Sequence, residues 1–485
     1  MNKNLNRRNF LKAMGLGAAG LTLPGCTDAS WLLVHEASSD KPNIVFIMVD
    51  DMGWADLGCY GSQHIKTPNV DKMAAEGIRF TQAYSGCTVC APARSVLMTG
   101  LHTGHTPVRG NTGGIPMRDG DVTVAEVLKQ AGYATGGFGK WGLGDVGTAG
   151  VPEKQGFDEF FGYYHQVHAH DYWTDYLWRN SQKVPMTGEE GSAQRYSHYR
   201  IFEQTLKFIR RNKDRPFFCY AAWTPPHGKY QIPESEPAWQ MYKDKPWPND
   251  AKVVAAMDTM LDRHVGELLD LLKQMNIDER TIVFFCSDNG AAKRFDGLFD
   301  SSGPLRGNKR SMYEGGIRTP MIVRWPGKIK ADTVSEHAWY FADVMPTFAE
   351  LAGASRYLPQ QIDGLSIAPT LLGQVEKQEK HKFMYWEFQR YNWAKRKNVP
   401  NTLAQAVRMG PAPAAGVGVG KWKAVRHKSN EPFELYDLSK NISEENNVAA
   451  EHPDIVAKIE AYVKRNRVEP PPQIEPEKPE GKRYR

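Results

Sequence analysis

The chain has 485 residues, 41% hydrophobic and 11% aromatic, enough for one large domain and a smaller one around a sizeable core. Its net charge of +6 is concentrated at the start, where Lys3, Arg7, Arg8 and Lys12 are accompanied by no acid. The remainder is close to neutral, which excludes the broad basic face of a nucleic-acid-binding protein.

In chain order, Asn6-Arg7-Arg8-Asn9-Phe10-Leu11-Lys12 and the short Gly/Ala-rich run to Leu23 resemble a twin-arginine export signal. The run is too short to anchor the chain permanently across a bilayer. It ends at Leu23-Pro24-Gly25-Cys26, similar to a bacterial lipobox. Residues 1–26 are therefore expected to be a lipoprotein signal read by the twin-arginine export machinery, with Cys26 tied to a membrane through lipid. This predicts an exported bacterial protein, periplasmic or anchored at the outer membrane. A plain cleaved signal with an incidental cysteine is the other reading.

Apolar runs without alternation read as strands buried on both faces, at 43–49, 133–138, 216–223, 281–286 and 321–325. Helical patterns lie between them at 68–75, 122–131 and 251–275, with Thr67 and Pro68 opening the first and Gly132 closing the second. The alternation predicts an α/β fold, a large mostly parallel or mixed sheet flanked by helices, over residues 40–375. Shorter strands at 384–388, 422–426 and 434–438, with a helix at 452–465, predict a small C-terminal antiparallel subdomain over 376–468. Residues 469–485, rich in Pro, Glu and Lys, read as an extended tail.

Open α/β sheets bind ligands beyond the carboxyl ends of their strands. Those positions hold Asp50-Asp51, Lys140, His227 and Asp288-Asn289. Any one of them reads equally well as a turn or a helix cap. Together, three carboxylates and an amide would repel one another unless a cation stood among them. Oxygen donors suit a hard divalent ion, calcium or magnesium, rather than zinc. Such an ion is a Lewis acid, and nearby lysine and arginine would balance a bound tetrahedral oxyanion. The spacing thus predicts a metal-assisted hydrolase of an oxyanion ester.

Six cysteines (Cys26, Cys59, Cys87, Cys90, Cys219 and Cys286) are too thinly spread for a disulfide framework. Residues 90–100, CAPARSVLMTG, stand out, with Pro92 expected to keep the stretch out of regular helix or strand and Arg94 offering a permanent cation. Cys87-Thr88-Val89-Cys90 also forms a C-x-x-C, so a redox or metal site is a rival reading, although no second pair completes a zinc centre.

The stretches 43–61 (NIVFIMVDDMGWADLGCYG), 90–100, 132–144 (GYATGGFGKWGLG), 224–227 (TPPH), 284–290 (FFCSDNG) and 304–320 (PLRGNKRSMYEGGIRTP) resemble, in order, the motifs of the sulfatase family. These are formylglycine-dependent, arylsulfatase-like enzymes of the alkaline phosphatase superfamily. The resemblance implies that a maturation enzyme oxidises Cys90 to formylglycine, whose hydrate attacks sulfur. It implies that Asp50, Asp51, Asp288, Asn289 and the modified Cys90 hold calcium, with magnesium less suited. Arg94 would stabilise the hydrated aldehyde, while Lys140, His227 and Lys309 would grip the sulfate and help the leaving group depart. One position departs from the family pattern GKWHLG, because Gly142 stands where the histidine is usual. His102, His105, His165, His168 and His170 are the candidates to replace that imidazole.

Residues 160–180 pack tyrosines and tryptophans among three of these histidines. Either this is a hydrophobic lid, or Tyr172, Trp173 and the five histidines contact substrate. Aromatic faces with interspersed donors suit sugar rings. The stretch 388–396 is expected to add to such a pocket. The expected activity is removal of sulfate from a sulfated polysaccharide or oligosaccharide. An aryl sulfate and a phosphate or phosphonate ester are alternative substrates, and a lipid-anchored glycan-binding protein is the non-enzymatic alternative.

Overall fold

A computed structural model describes residues 41–470 except 112–114, 294, 296, 393–396 and 411–419. The expected export signal with Cys26, the tail beyond 470 and Trp393 lie outside the described residues. The first strands are β1 (Asn43–Asp50), β2 (Ile78–Phe80), β3 (Ala83–Tyr84), β4 (Ala134–Lys140), β5 (Glu159–Tyr163), β6 (Tyr176–Arg179), β7 (Gln182–Pro185) and β8 (Phe217–Pro226). They are followed by β9 (Thr281–Ser287), β10 (Met321–Arg324), β11 (Thr333–Ser335), β12 (Trp339–Tyr340), β13 (Phe383–Asn392), β14 (Lys397–Met409), β15 (Trp422–Arg426) and β16 (Glu434–Asp437).

One ten-stranded sheet has the order β11-β2-β10-β9-β1-β8-β4-β5-β6-β7. Its centre, β9-β1-β8-β4-β5, is parallel, and antiparallel pairs enter on both sides at β10 and β6. The expected mixed sheet is therefore present. The apolar run of β1 feeds two separate cores, because side chains alternate across a strand. Ile44, Phe46 and Met48 join one layer with helices Cys90–Thr99, Val124–Gln130 and Val344–Leu351. Val45, Ile47 and Val49 join the other with helices Pro68–Ala75, Ser197–Arg211 and Asn249–Gln274. Burying each of these side chains stabilises the fold by roughly 1.5–3 kcal/mol. The helix at Val124–Gln130 opens on a capping box between Thr123 and Glu126.

Pro92 does not exclude a helix. Cys90–Thr99 is helical, and every residue of it is buried. Pro92 occupies the first turn, where an N–H would have no intrahelical partner, and Gly100 closes the helix in the left-handed region at φ 68°.

The C-terminal strands form an antiparallel sheet in the order β13-β14-β15-β16, with helix Pro453–Asn466 laying Ile459 and Val463 on it. Three of these strands and the helix were expected, whereas β14 was not. This sheet docks on both flanks of the Cys90 helix: Trp386 Nε1 donates to Ser85 O at 2.8 Å, and Glu387 N to Thr103 Oγ1 at 2.7 Å. A buried ion cluster fastens it further, with Lys423 Nζ 2.8 Å from Glu314 Oε1 and 3.3 Å from Glu444 Oε1.

Candidate active site

The ends of β1, β4, β8 and β9 converge with the first turn of helix Cys90–Thr99. Asp50 ends β1, and simple alternation would send Asp51 to the opposite face of the sheet. Asp51 instead takes the left-handed conformation at φ 67°, an uncommon one for a residue with a side chain. An atom of each of Asp50, Asp51, Asp288 and Cys90 then lies within 4.8 Å of the others. Asp288 and Asn289 follow β9 directly, and Asp288 Oδ1 accepts from Asp51 N at 3.3 Å.

Cations interleave these carboxylates. Lys140, the last residue of β4, places Nζ 2.5 Å from Asp50 Oδ2, with both side chains wholly buried. Lys309 comes from the loop before β10 and places Nζ 2.5 Å from Asp51 Oδ1 and 3.3 Å from Cys90 Sγ. Cys90 Sγ also lies 3.3 Å from Asp50 Oδ1. Arg94, one helical turn after Cys90, donates to Asp288 Oδ2 at 2.8 Å, Asp50 Oδ2 at 3.3 Å and Lys140 O at 2.6 Å. Its guanidinium is thus committed to the carboxylates and the end of β4. His227 stands between the lysines, Nδ1 3.4 Å from Lys140 Nζ and Nε2 3.4 Å from Lys309 Nζ.

Burial alone would raise the Asp50 carboxyl, but Lys140, His227 and Arg94 hold it well below the usual carboxylate range. Asp288 moves the other way, raised by burial and by the charge of Asp50. Burial and these acids push the Cys90 thiol up, so it is not a ready thiolate. Cys87 and Cys90 are both free, and Cys87 Sγ turns to Glu387 O at 3.5 Å. The C-x-x-C is accordingly no disulfide.

A divalent cation fits this donor set. Asn289 Nδ2 donates to Asp51 Oδ1 at 2.7 Å and Gly290 O at 2.9 Å, which leaves its buried Oδ1 without a hydrogen-bond partner. One orphaned amide oxygen among three carboxylates is a hard, all-oxygen set of the kind calcium and magnesium take.

The histidine candidates separate. His170 joins the site: its ring meets that of His227 edge-on at 4.4 Å, and burial, helped by the charges of His227 and Lys140, lowers it to about 2. His102 and His105 do not join it. They stack on each other at 4.1 Å, and His105 Nδ1 lies 2.9 Å from Asp363 Oδ2. These three could be mistaken for a metal triad. However, His102 Nδ1 accepts from Gly104 N at 3.0 Å, so the neutral ring carries its proton on the Nε2 that faces Asp363 and has no lone pair there for a metal. His165 Nδ1 accepts from Val167 N at 3.1 Å, and His168 Nε2 bonds Thr174 Oγ1 at 2.7 Å beneath Tyr163 and Tyr176.

The aromatic segment is mostly core rather than sugar platform. Tyr163, Tyr164, Tyr172 and Trp178 are buried, and Tyr164 stacks on Trp178 at 5.4 Å. Tyr172 instead supports the site from behind, its hydroxyl donating to His227 O at 2.5 Å. Trp173 Nε1 donates to Ser192 O at 3.1 Å, and its ring packs on Tyr196. Two residues near Cys90 escaped the sequence reading: Asn111 Oδ1 accepts from Ala91 N at 3.1 Å, and Gln166 Nε2 donates to that same oxygen at 3.0 Å. No spacing rule marks a cap that comes from twenty residues away.

A family model described as Sulfatase matches residues 42–354, and one described as N-sulphoglucosamine sulphohydrolase, C-terminal, matches residues 307–469. The chain is 34% identical over 394 residues to the N-acetylgalactosamine-6-sulfatase of Canis lupus familiaris, across 75% of this chain and 69% of that one. It is 33% identical to arylsulfatase A of Homo sapiens, across 72% and 71%. The crystal structure of Ps i-CgsB in complex with k-i-k-neocarrahexaose matches it with a TM-score of 0.74 and 28% identity, over 89% of this chain and 94% of that one. The chain belongs to the sulfatase family, and it is a sulfuric ester hydrolase with an alkaline-phosphatase-like fold.

Proposed function

We propose that the protein removes sulfate from a carbohydrate, with an aldehyde made from Cys90 as its reactive group and calcium as its metal. The observation that carries this reading is the position of Cys90 Sγ, 3.3 Å from both Asp50 Oδ1 and Lys309 Nζ, between a metal-type carboxylate and an anion-binding cation. Asp50, Asp51, Asp288 and Asn289 would hold the ion, which supplies Lewis acidity toward a sulfate oxygen. Calcium tolerates such an irregular oxygen set better than magnesium, which demands near-ideal octahedral geometry. As formylglycine, Cys90 would supply a hydrate oxygen as nucleophile.

The remaining work falls to the chain's own side chains. Lys140 and Lys309 flank the Cys90 position and bind sulfate oxygens, so that charge spreading in the transition state meets fixed cations. Arg94 keeps Asp50 and Asp288 in place. His227 is 20% exposed where the lysines are 0% and 8%, so among these groups it faces the open side and is placed to protonate the leaving alcohol. The carbohydrate part of the reading draws support from the named activity of the galactosamine sulfatase and from the oligosaccharide bound to Ps i-CgsB.

The test is production with and without a formylglycine-generating enzyme, the mass of peptide 80–94, and sulfate release from sulfated oligosaccharides beside matched phosphate esters. Aldehyde at Cys90 with calcium-dependent sulfate release is expected. An unmodified thiol when a control sulfatase is matured, or faster phosphate release, would sink the proposal. Export and lipid anchoring through residues 1–26 complete it; Cys26→Ala should move the protein from the membrane pellet to the soluble fraction.

A further inference from the structure

The segment behind the site is linked to the Cys90 helix through Asn111. Gln166 is 4% exposed, and its Nε2 donates to Asn111 O at 3.2 Å and Asn111 Oδ1 at 3.0 Å. Asn111 Oδ1 is fixed as an acceptor by Ala91 N at 3.1 Å, so the orientation of the Gln166 amide follows from its partners. Its other atom, Oε1, is buried without a hydrogen-bond partner. That oxygen faces Gly142, which sits at φ 79°; a Cβ there would lie 3.5 Å from Gln166 Oε1 and 3.9 Å from Arg94 Cδ. Gly142 itself is tied to this segment through its N–H to Tyr164 O at 2.9 Å.

The Cys90 helix needs such a contact. Its N-cap is Val89, whose side chain accepts nothing, so the first N–H groups of the helix require partners from elsewhere. Asn111 supplies one at the residue next to Cys90. Gln166 in turn leaves Asn111 Oδ1 no freedom to turn away. A buried amide oxygen without a partner is costly, so packing alone does not account for an amide at this position on the Arg94 side of the site.

We propose that Gln166 is a positioning residue of the reaction: through Asn111 it holds the first turn of the helix that presents Cys90. This rests on the sulfatase reading above. A displacement of about 1 Å at a reacting atom costs on the order of 100-fold in rate. The substrate binding groups, Lys140 and Lys309, are not touched by this amide pair, so the loss falls on kcat.

The experiment uses full-length protein co-produced with a maturation enzyme, 4-nitrophenyl sulfate as probe, and rates normalised to the aldehyde content of peptide 80–94. Gln166→Met keeps the volume and removes the donor; Asn111→Ala removes the cap. For each, kcat per aldehyde is expected to fall about 10- to 100-fold with KM within about threefold, and the double variant to be no worse than either single. Gln166→Met within about twofold of wild type, a loss confined to KM, or a double variant equal to the product of the singles would overturn the proposal. Wild-type protein that carries the aldehyde and hydrolyses no sulfate ester would overturn the underlying reading instead, and this inference with it.

Discussion

Lys140 Nζ and Asp50 Oδ2 lie 2.5 Å apart with both side chains sealed from solvent. The pair joins the end of β4 to the end of β1 across the intervening β8. On the proposed reading it would also set an ammonium and a divalent cation in competition for one carboxylate. Removing the ammonium as Lys140→Met should tighten calcium binding, measured by titration calorimetry, while kcat falls about 100- to 1,000-fold. Unchanged or weaker calcium binding would argue that Asp50 is no ligand.

Chelation tests the donor set as a whole. With the cation withdrawn, activity should vanish and the unfolding temperature should drop, because binding to the native state alone adds stability. Calcium should restore both more fully than magnesium. Equal rescue by both ions would remove the case for calcium.

Gly139 precedes Lys140 at φ 117°, and a Cβ there would meet Ala222 O at 2.0 Å. Gly139→Ala should therefore force β4 away from β8, with a loss of at least about 2 kcal/mol in denaturant unfolding and a collapse of activity. A variant with both properties intact would show that the strand pair is more pliable than its spacing implies.

Buried histidines contribute to the loss of stability in acid. His198 bonds His264 at 2.9 Å between its Nε2 and the other ring's Nδ1, and burial, aided by the charge of Arg263, lowers it to about 3. Its folded pKa lies below the unfolded value of about 6.5, so its contribution is fully present above that pH. It is lost as pH falls toward 3, by at most roughly 1.4 kcal/mol per pH unit. His198→Gln should show a smaller drop in unfolding temperature between pH 7 and pH 4.5 than wild type. Parallel curves for the two proteins would rule this out.

The site was legible where the backbone itself dictates position. Asp50, Lys140, His227 and Asp288 follow strands whose apolar runs cannot be anything but buried, so their convergence follows from topology. Lys309 sits in a loop, and only family resemblance pointed to it. Pro92 misled because the same residue that breaks a helix interior is well suited to a first turn. Tyr172 misled because an aromatic cluster reads alike whether it faces a ligand or a core, and only burial separates the two. β14 was missed because Lys397–Met409 interrupts its apolar residues with Pro, Asn and Gln and gains its strand character from its partners.

The complete burial of the Cys90 helix has a kinetic meaning. Cys90 is 1% exposed, and the groups around it come from positions as far apart as Asp51 and Lys309. Once the sheet has closed, that thiol is almost wholly covered. The proposed aldehyde would then have to be made on a chain still open, and maturation would race against folding. On the proposed reading, a molecule that folds first would stay unmodified and inactive, so the specific activity of a preparation would record the ratio of two rates and should rise when folding is slowed.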